Sequence, residues 1–440
     1  MNATEQRIDY TVRPGGRLSG TLRVPGDKSI SHRAVMLASL ADGVSEISGF
    51  LTGEDCLCTM QAFRAMDVQI EQTGPTALRV HGVGLHGLRA PAAALDLGNS
   101  GTSMRLMSGL MAAQAFATTL IGDVSLSTRP MRRVVDPRRQ MGAVIETTEK
   151  GTAPLRISPA AKLSGIRYAS PVASAQIKSC LLLAGLYADG ITEVREPEAS
   201  RDHTERMLKS FGVDVEAEPG RAALRGGQRL IAADVEVPAD VSSATFFMVG
   251  AAIVPGSEIV LTAVGVNPTR TGIIEILKRM GAEIELQNPR FFGGEPVADI
   301  RVRGAGLRGI EIGAELVANA IDEFPAVFVA AACADGETIV TGAAELRVKE
   351  SDRIAAMCNG LQVLGIDAQA QPDGARIRGG QLHGGSVNSL GDHRVAMSFA
   401  MAALRADGPI EILDCANVAT SFPGFAVLAR SAGLQIEGEL

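Results

Sequence analysis

Six stretches of this chain follow one pattern, and no other feature limits its fold so tightly. Each opens on a small polar or charged cluster, enters an apolar Ala-rich segment, turns, and continues as a β-type run. A polar stretch and an amphipathic run follow, closing near a glycine flanked by apolar residues. The openings are Asp27-Lys-Ser-Ile-Ser, Gly98-Asn-Ser-Gly-Thr, Ala173-Ser-Ala-Gln, Asp240-Val-Ser-Ser-Ala, Ala320-Ile-Asp-Glu-Phe-Pro and Gly391-Asp-His-Arg. The closings are Met66-Asp-Val-Gln-Ile, Met141-Gly-Ala-Val-Ile, Phe211-Gly-Val-Asp-Val, Met280-Gly-Ala-Glu-Ile, Leu364-Gly-Ile-Asp-Ala and Ala432-Gly-Leu-Gln-Ile.

The period of about 70 residues exceeds the ~20–50 of common solenoid repeats, so each unit reads as a complete α/β module. Its first helix is apolar nearly all round, as in Ala34–Leu40, Leu181–Leu186 and Phe246–Ile253, and such a helix is buried. Its second helix carries one apolar stripe. In the fourth repeat Ile273, Ile274, Ile276, Leu277 and Met280 form the stripe, with Glu275, Lys278 and Arg279 outside it. The closing glycine suits a left-handed C-cap, and Asp67 in the first repeat tolerates the same conformation. The expected architecture is α/β: two domains of three repeats, with buried helices inside and strands outside.

Bulk properties narrow the function. The net charge of −7 argues against broad nucleic-acid or anionic-membrane binding. The first residues, 1–14, lack the apolar segment of a signal peptide, and apolar runs fall far short of the ~20 residues that span a bilayer. A soluble, cytoplasmic protein is expected. The six cysteines form no Cys-x-x-Cys pair and read as buried, reduced thiols. The six histidines show no metal-ligand spacing, and His32 and His393 read as structural. With no Walker A sequence and no Gly-x-Gly-x-x-Gly between strand and helix, no nucleotide, metal or other cofactor is implied.

The repeat openings carry the chemistry. Ser, Asn and Asp at helix starts are good N-caps, and for Asp240-Val-Ser-Ser capping is a sufficient reason. Capping does not require Lys28, Arg33, Arg105 or Arg394. Helix N-termini bind anions through free N–H groups and the positive end of the dipole, so converging with these cations they would hold a multiply charged small ligand. Thr128-Arg-Pro, Ser200-Arg-Asp-His and Val348-Lys-Glu-Ser-Asp-Arg353 extend the cationic set, although on spacing alone the last could equally be a solvated charge run.

These segments closely resemble the 5-enolpyruvylshikimate-3-phosphate synthase family through all six repeats. The resemblance rests on Asp27-Lys-Ser-Ile-Ser-His-Arg33, Gly98-Asn-Ser-Gly-Thr-Ser-Met-Arg105, Arg129-Pro-Met, Ser174-Ala-Gln176 and Ser200-Arg-Asp-His203. Asp322-Glu-Phe-Pro325, Leu346-Arg-Val-Lys-Glu-Ser-Asp-Arg353 and Asp392-His-Arg394 complete it. It implies a two-domain inside-out α/β barrel with crossovers near Val24 and Pro238. One domain comprises residues 1–24 and 239–440. The inserted domain, 25–238, mainly binds shikimate 3-phosphate.

The implied reaction moves the enolpyruvyl group of phosphoenolpyruvate onto shikimate 3-phosphate. Carried over by motif, Lys28, Ser29, Arg33, Ser174, Ala175, Gln176, Arg201, Asp322 and Lys349 hold shikimate 3-phosphate. Lys28, Gly101, Arg129, Gln176, Arg353 and Arg394 hold phosphoenolpyruvate. Asp322 is the expected general base, and Glu350 or Lys28 the proton donor. A monomer is expected, with these two small molecules as its only partners.

Ala175 stands where many relatives have a second Ser, and Ala419-Thr-Ser-Phe-Pro423 lacks a Lys that many carry; with Asn288-Pro-Arg-Phe-Phe-Gly-Gly294 these resemble the second class of the family. Gly101, in place of the Ala of some glyphosate-tolerant members, predicts inhibition by glyphosate. The related UDP-N-acetylglucosamine enolpyruvyl transferases have a reactive Cys before Ala-Arg-Pro, where this chain reads Ser125-Leu-Ser-Thr-Arg-Pro130. A non-catalytic anion-binding scaffold would keep the cations without needing Asp322 and Glu350.

Overall fold

A computed structural model of the chain describes residues 8–438. The six apolar segments are helices: Lys28–Leu40, Gly101–Met111, Ala175–Gly185, Val241–Ala252, Phe324–Ala332 and His393–Ala402. They are referred to below as the first to sixth buried helices. Every residue of the fourth and fifth is buried, as an all-round apolar helix requires. Small residues let such helices approach closely. A Cβ on Gly109 of the second helix would lie 2.4 Å from the backbone oxygen of Cys180 in the third.

Contacts divide the chain into two compact units. Unit one comprises Met1–Pro25, Pro238–Arg290 and Pro296–Leu440; unit two comprises Gly26–Val237 and Phe291–Glu295. Each has its own hydrophobic core. In unit two the second buried helix packs against the first and third; in unit one the fourth, fifth and sixth pack against one another.

Each repeat contributes a four-stranded sheet of one topology. In the fifth, Glu337–Val340 pairs parallel with Glu311–Ile312 and antiparallel with Gly374–Arg378, which pairs antiparallel with Asp367–Gln371. Thr338, Val340, Ala368, Ala375 and Ile377 are buried, while Arg376 points to solvent, the alternation of a sheet covering helices on one face. The inside-out α/β architecture read from the repeats is present. Its sheets stay open and separate rather than closing into one continuous barrel, because edge strands as short as Leu95–Asp96 and Val235–Glu236 end the pairing.

Three sheets are finished by distant segments, the first of them by Val235–Glu236 as the parallel edge of Asp42–Ser48. The sixth takes Tyr10–Val12 between Ile410–Leu413 and Ile436–Glu437. The fourth takes Ser19–Leu22 as the parallel edge of Glu258–Gly265.

The second helices end as the sequence predicts. The residue after each closing position is left-handed: Asp67 at φ 71°, then Gly142, Gly212, Gly281, Gly365 and Gly433 at φ 81° to 115°. None of the six cysteines is in a disulfide. Cys56, Cys180, Cys358 and Cys415 are buried, whereas Cys58 and Cys333 are only half-buried. Burial pushes the Cys58 thiol up to about 11 and that of Cys333 to about 12, so both stay protonated at neutral pH.

Candidate functional site

The N-termini of the buried helices of unit two gather one polar cluster. Asp27 caps the first helix by accepting from the Ile30 N–H at 2.9 Å. Ser100 caps the second through Ser103 N–H at 3.1 Å, and Ser174 the third through Ile177 N–H at 3.4 Å. The cations predicted at these starts are all tied to other polar groups. Lys28 Nζ lies 2.9 Å from Asp55 Oδ2, a carboxylate that the repeat pattern did not single out. Arg129 donates to Asn99 Oδ1 at 2.6 Å. Gln176 accepts from Arg105 at 2.7 Å and donates to Thr102 at 3.1 Å, linking the second and third helices.

Gly101 sits beneath two guanidinium groups. A Cβ there would come within 3.1 Å of Arg105 and 3.2 Å of Arg129. The glycine therefore leaves room for both cations at one helix N-terminus, where an anion is favoured by charge and dipole together.

Arg33 is 4% exposed. Its Nε donates to Thr204 at 2.6 Å and its terminal nitrogens to Ser179 at 2.7 Å and the Ser29 carbonyl at 2.9 Å. Burial pulls its guanidinium down to about 10, and Glu205 is the first neighbour to oppose that. His32 is fully buried, with Nδ1 2.8 Å from Thr59 Oγ1. Burial, then Lys28 and Arg33, hold its imidazole well below the usual value. It is a neutral structural histidine.

Unit one carries a second cluster, built around Arg353. The guanidinium is 1% exposed and faces three carboxylates. Nε donates to Asp392 at 2.8 Å, one terminal nitrogen donates to Glu350 at 2.6 Å, and the other lies 3.5 Å from Asp322. Burial works against its charge, but Asp392 and Glu350 outweigh it and keep Arg353 above its ordinary value. Asp392 caps the sixth helix through the Arg394 N–H at 2.9 Å. Burial would raise its carboxyl, yet Arg353 holds it low.

Asp322 meets Lys349 Nζ at 3.2 Å, and its backbone carbonyl accepts from Arg394 at 3.0 Å. The charge run 349–353 is thus no solvated face. Its last residue is the buried hub of the cluster.

The fourth repeat corrects the reading that capping alone explains its opening. Asp240 does cap, accepting from Ser242 N–H at 2.8 Å. It also pairs with buried Arg270 at 3.2 Å, which donates to Ser242 Oγ at 2.7 Å, and Ser242 Oγ donates in turn to Glu323. Arg270 lay unnoticed because it stands alone in a polar turn. The fifth helix differs again: neither Asp322 nor Glu323 makes a side-chain cap there, and Pro325 occupies the first turn, where no N–H is needed.

Unit two also holds charges that sequence reasoning missed. Lys178 lies in the apolar third helix, 4% exposed, with Glu196 at 3.0 Å and Glu205 at 2.9 Å. A single Lys inside an apolar helix was the available signal, since a buried ammonium requires counter-charges. Among the described residues no group of three or more His, Cys, Asp or Glu side chains could hold a metal ion, and no helix is long and apolar enough to cross a membrane.

Residues 12–427 match the family model described as EPSP synthase (3-phosphoshikimate 1-carboxyvinyltransferase). A 3-phosphoshikimate 1-carboxyvinyltransferase of Methylococcus capsulatus is 66% identical over 98% of this chain and 99% of its own length. One of Alkalilimnicola ehrlichii is 62% identical, covering 98% and 96%. Among solved structures, EPSP synthase of Acinetobacter baumannii superposes with a TM-score of 0.89 at 54% identity, covering 98% of this chain and 100% of that one.

Proposed function

The chain belongs to the EPSP synthase family, and from that premise we propose how its two clusters divide the reaction. The reaction itself comes with the family. The chain transfers the enolpyruvyl (carboxyvinyl) group of phosphoenolpyruvate to shikimate 3-phosphate, in the biosynthesis of chorismate and aromatic amino acids. The acceptor atom is the 5-hydroxyl oxygen, and the products are 5-enolpyruvylshikimate 3-phosphate and phosphate.

In this reading shikimate 3-phosphate is held by Lys28, Ser29, Arg33, Ser174, Ala175, Gln176, Arg201, Asp322 and Lys349. Ala175 has no hydroxyl, so its backbone N–H serves the ligand at the start of the third helix. Phosphoenolpyruvate brings a carboxylate and a phosphate, which suit the forks of Arg129, Arg353 and Arg394 and the point charge of Lys28. Gly101 and Gln176 complete that site.

The observation that carries the assignment is the cluster joining Asp322, Lys349, Glu350 and Arg353 within one unit. Asp322 takes the proton of the 5-hydroxyl as its oxygen attacks C2 of phosphoenolpyruvate, and Glu350 or Lys28 protonates the C3 methylene. The tetrahedral intermediate then loses a proton from C3 and expels phosphate, which restores the double bond. Arg353 fixes both carboxylates, since one guanidinium touches each of them.

The protein acts as a cytoplasmic monomer on these two small molecules, without nucleic acid or membrane. Its net charge of −7 supports the part of that reading that excludes nucleic acid and anionic membranes.

Phosphate release by the purified protein tests the whole scheme. Release should require both substrates and fall by about 10²-fold or more in Asp322→Ala and Glu350→Gln. Full activity in Glu350→Gln with loss in Lys28→Met would assign the proton donor to Lys28. Turnover with a UDP-sugar acceptor, or ligand binding without turnover, would replace the proposal by the related transferase or by a scaffold.

A further inference from the structure

We infer that Glu196, held by Lys178, is a positioning residue that clamps together the two segments proposed above to bind shikimate 3-phosphate; the inference rests on that reading. Glu196 follows directly on the strand Ile191–Arg195, whose end is fixed by the pairing of Arg195 with Arg221. Its backbone N–H is also bonded to the Gly220 carbonyl at 2.8 Å. The carboxylate therefore projects from a rigid point.

One of its oxygens accepts the backbone N–H of Ser174 at 2.7 Å, and both lie 2.8 Å from the Ser200 hydroxyl. Ser174 opens the third buried helix, and Ser200 precedes Arg201. A single carboxylate thus sets the spacing between a helix N-terminus and the loop carrying a ligand cation. Because the Ser200 proton is committed to Glu196, the Ser200 oxygen can only accept from any further partner.

The clamp is held from behind. Glu196 is 0% exposed along its side chain, and Lys178 Nζ reaches it at 3.0 Å, Glu205 at 2.9 Å and the Ser200 carbonyl at 3.3 Å. Burial disfavours the ammonium, but Glu205 and Glu196 outweigh it and raise Lys178. The carboxylates share that single ammonium, so burial still leaves Glu205 above its usual range. Arg33, bonded to Thr204 and Ser179, supplies the fourth charge and makes the group neutral overall. A neutral, fixed network next to the loop that carries a dianion's ligands orders them without adding net repulsion.

The test is a set of binding and kinetic measurements on the full chain. Glu196→Gln should weaken binding of shikimate 3-phosphate alone, and raise its KM, by roughly 10–100-fold, the worth of charge-assisted hydrogen bonds. The KM for phosphoenolpyruvate and kcat should stay within about threefold, because Glu196 bonds Ser174 and Ser200, neither of which is assigned to phosphoenolpyruvate. Ser200→Ala removes one arm without stranding a charge and should weaken shikimate 3-phosphate roughly three- to tenfold. Glu205→Gln takes the other carboxylate from the same ammonium but leaves the Glu196 bonds to Ser174 and Ser200 in place. It should lose thermal stability comparably to Glu196→Gln while binding of shikimate 3-phosphate stays within about threefold of wild type.

Binding that weakens in Glu205→Gln as much as in Glu196→Gln would reduce Glu196 to charge balance and overturn the inference. Equal losses for both substrates, or unchanged binding in Glu196→Gln, would do the same. If Ser174→Ala and Arg201→Ala leave binding intact, the underlying site reading fails. If they weaken it and Glu196→Gln does not, only the clamp fails.

Discussion

Replacing Asp392 by Asn isolates the charge at the centre of the unit-one cluster while keeping its shape. At 2.8 Å from Arg353 and an effective dielectric of ~20, the pair attracts by about 6 kcal/mol. Desolvation of a fully buried carboxylate returns several kcal/mol of that. Asn retains an acceptor for the Arg394 N–H, so about 1 kcal/mol of capping survives. Glu350 and Asp322 still face Arg353, so the guanidinium is not stranded. The net loss should be about 3 kcal/mol, the low end for a broken buried pair.

Urea unfolding followed by far-ultraviolet circular dichroism suits this chain, which has no Trp. The pH dependence supplies a second arm. Arg353 holds the folded-state Asp392 below its ordinary value. Its contribution is complete above the pH at which a free Asp titrates, ~3.9, and is lost as pH falls through the lower folded value. The gap between wild type and Asp392→Asn should therefore close in acid. A loss under about 1 kcal/mol at neutral pH, or a gap that persists in acid, would refute the argument.

Two other substitutions follow from close approaches. Gly109→Ala drives a Cβ to 2.4 Å from the Cys180 carbonyl, so two buried helices must separate; a loss of about 1–3 kcal/mol is expected in the same urea assay. Gly101→Ala crowds Arg105 and Arg129 at 3.1 and 3.2 Å, where the arms can bend. The wild-type enzyme should be inhibited by glyphosate, and the variant should need about tenfold more inhibitor, with a raised KM for phosphoenolpyruvate. An inhibition curve unchanged in Gly101→Ala would contradict that.

The parts of the fold set by local pattern could be read directly. All-round apolar runs became buried helices, and the closing residues, Asp67 included, became left-handed caps. What escaped depended on partners far away in the chain. Tyr10–Val12 and Ser19–Leu22 look like loose polar strands until their sheets exist. Glu196 lies in Arg195-Glu-Pro-Glu-Ala-Ser-Arg201, which reads as a solvated charge run, and its counter-ion Lys178 hides in an apolar helix. Asp55 carries no motif of its own and matters only through Lys28. Single side chains that pair inside one repeat, with no counterpart in the other five, leave no periodic trace, whereas helix starts do.

The borrowed strand of the sixth sheet also imposes an order on synthesis. At ~5–20 residues per second, the roughly 400 residues between Tyr10–Val12 and its neighbour Ile410–Leu413 take about 20–80 s to make. All that time the early strand has no sheet to join. Residues 26–237 meanwhile leave the ribosome as an uninterrupted stretch able to bury its own core. A growing chain therefore assembles its middle first and closes its earliest segment last.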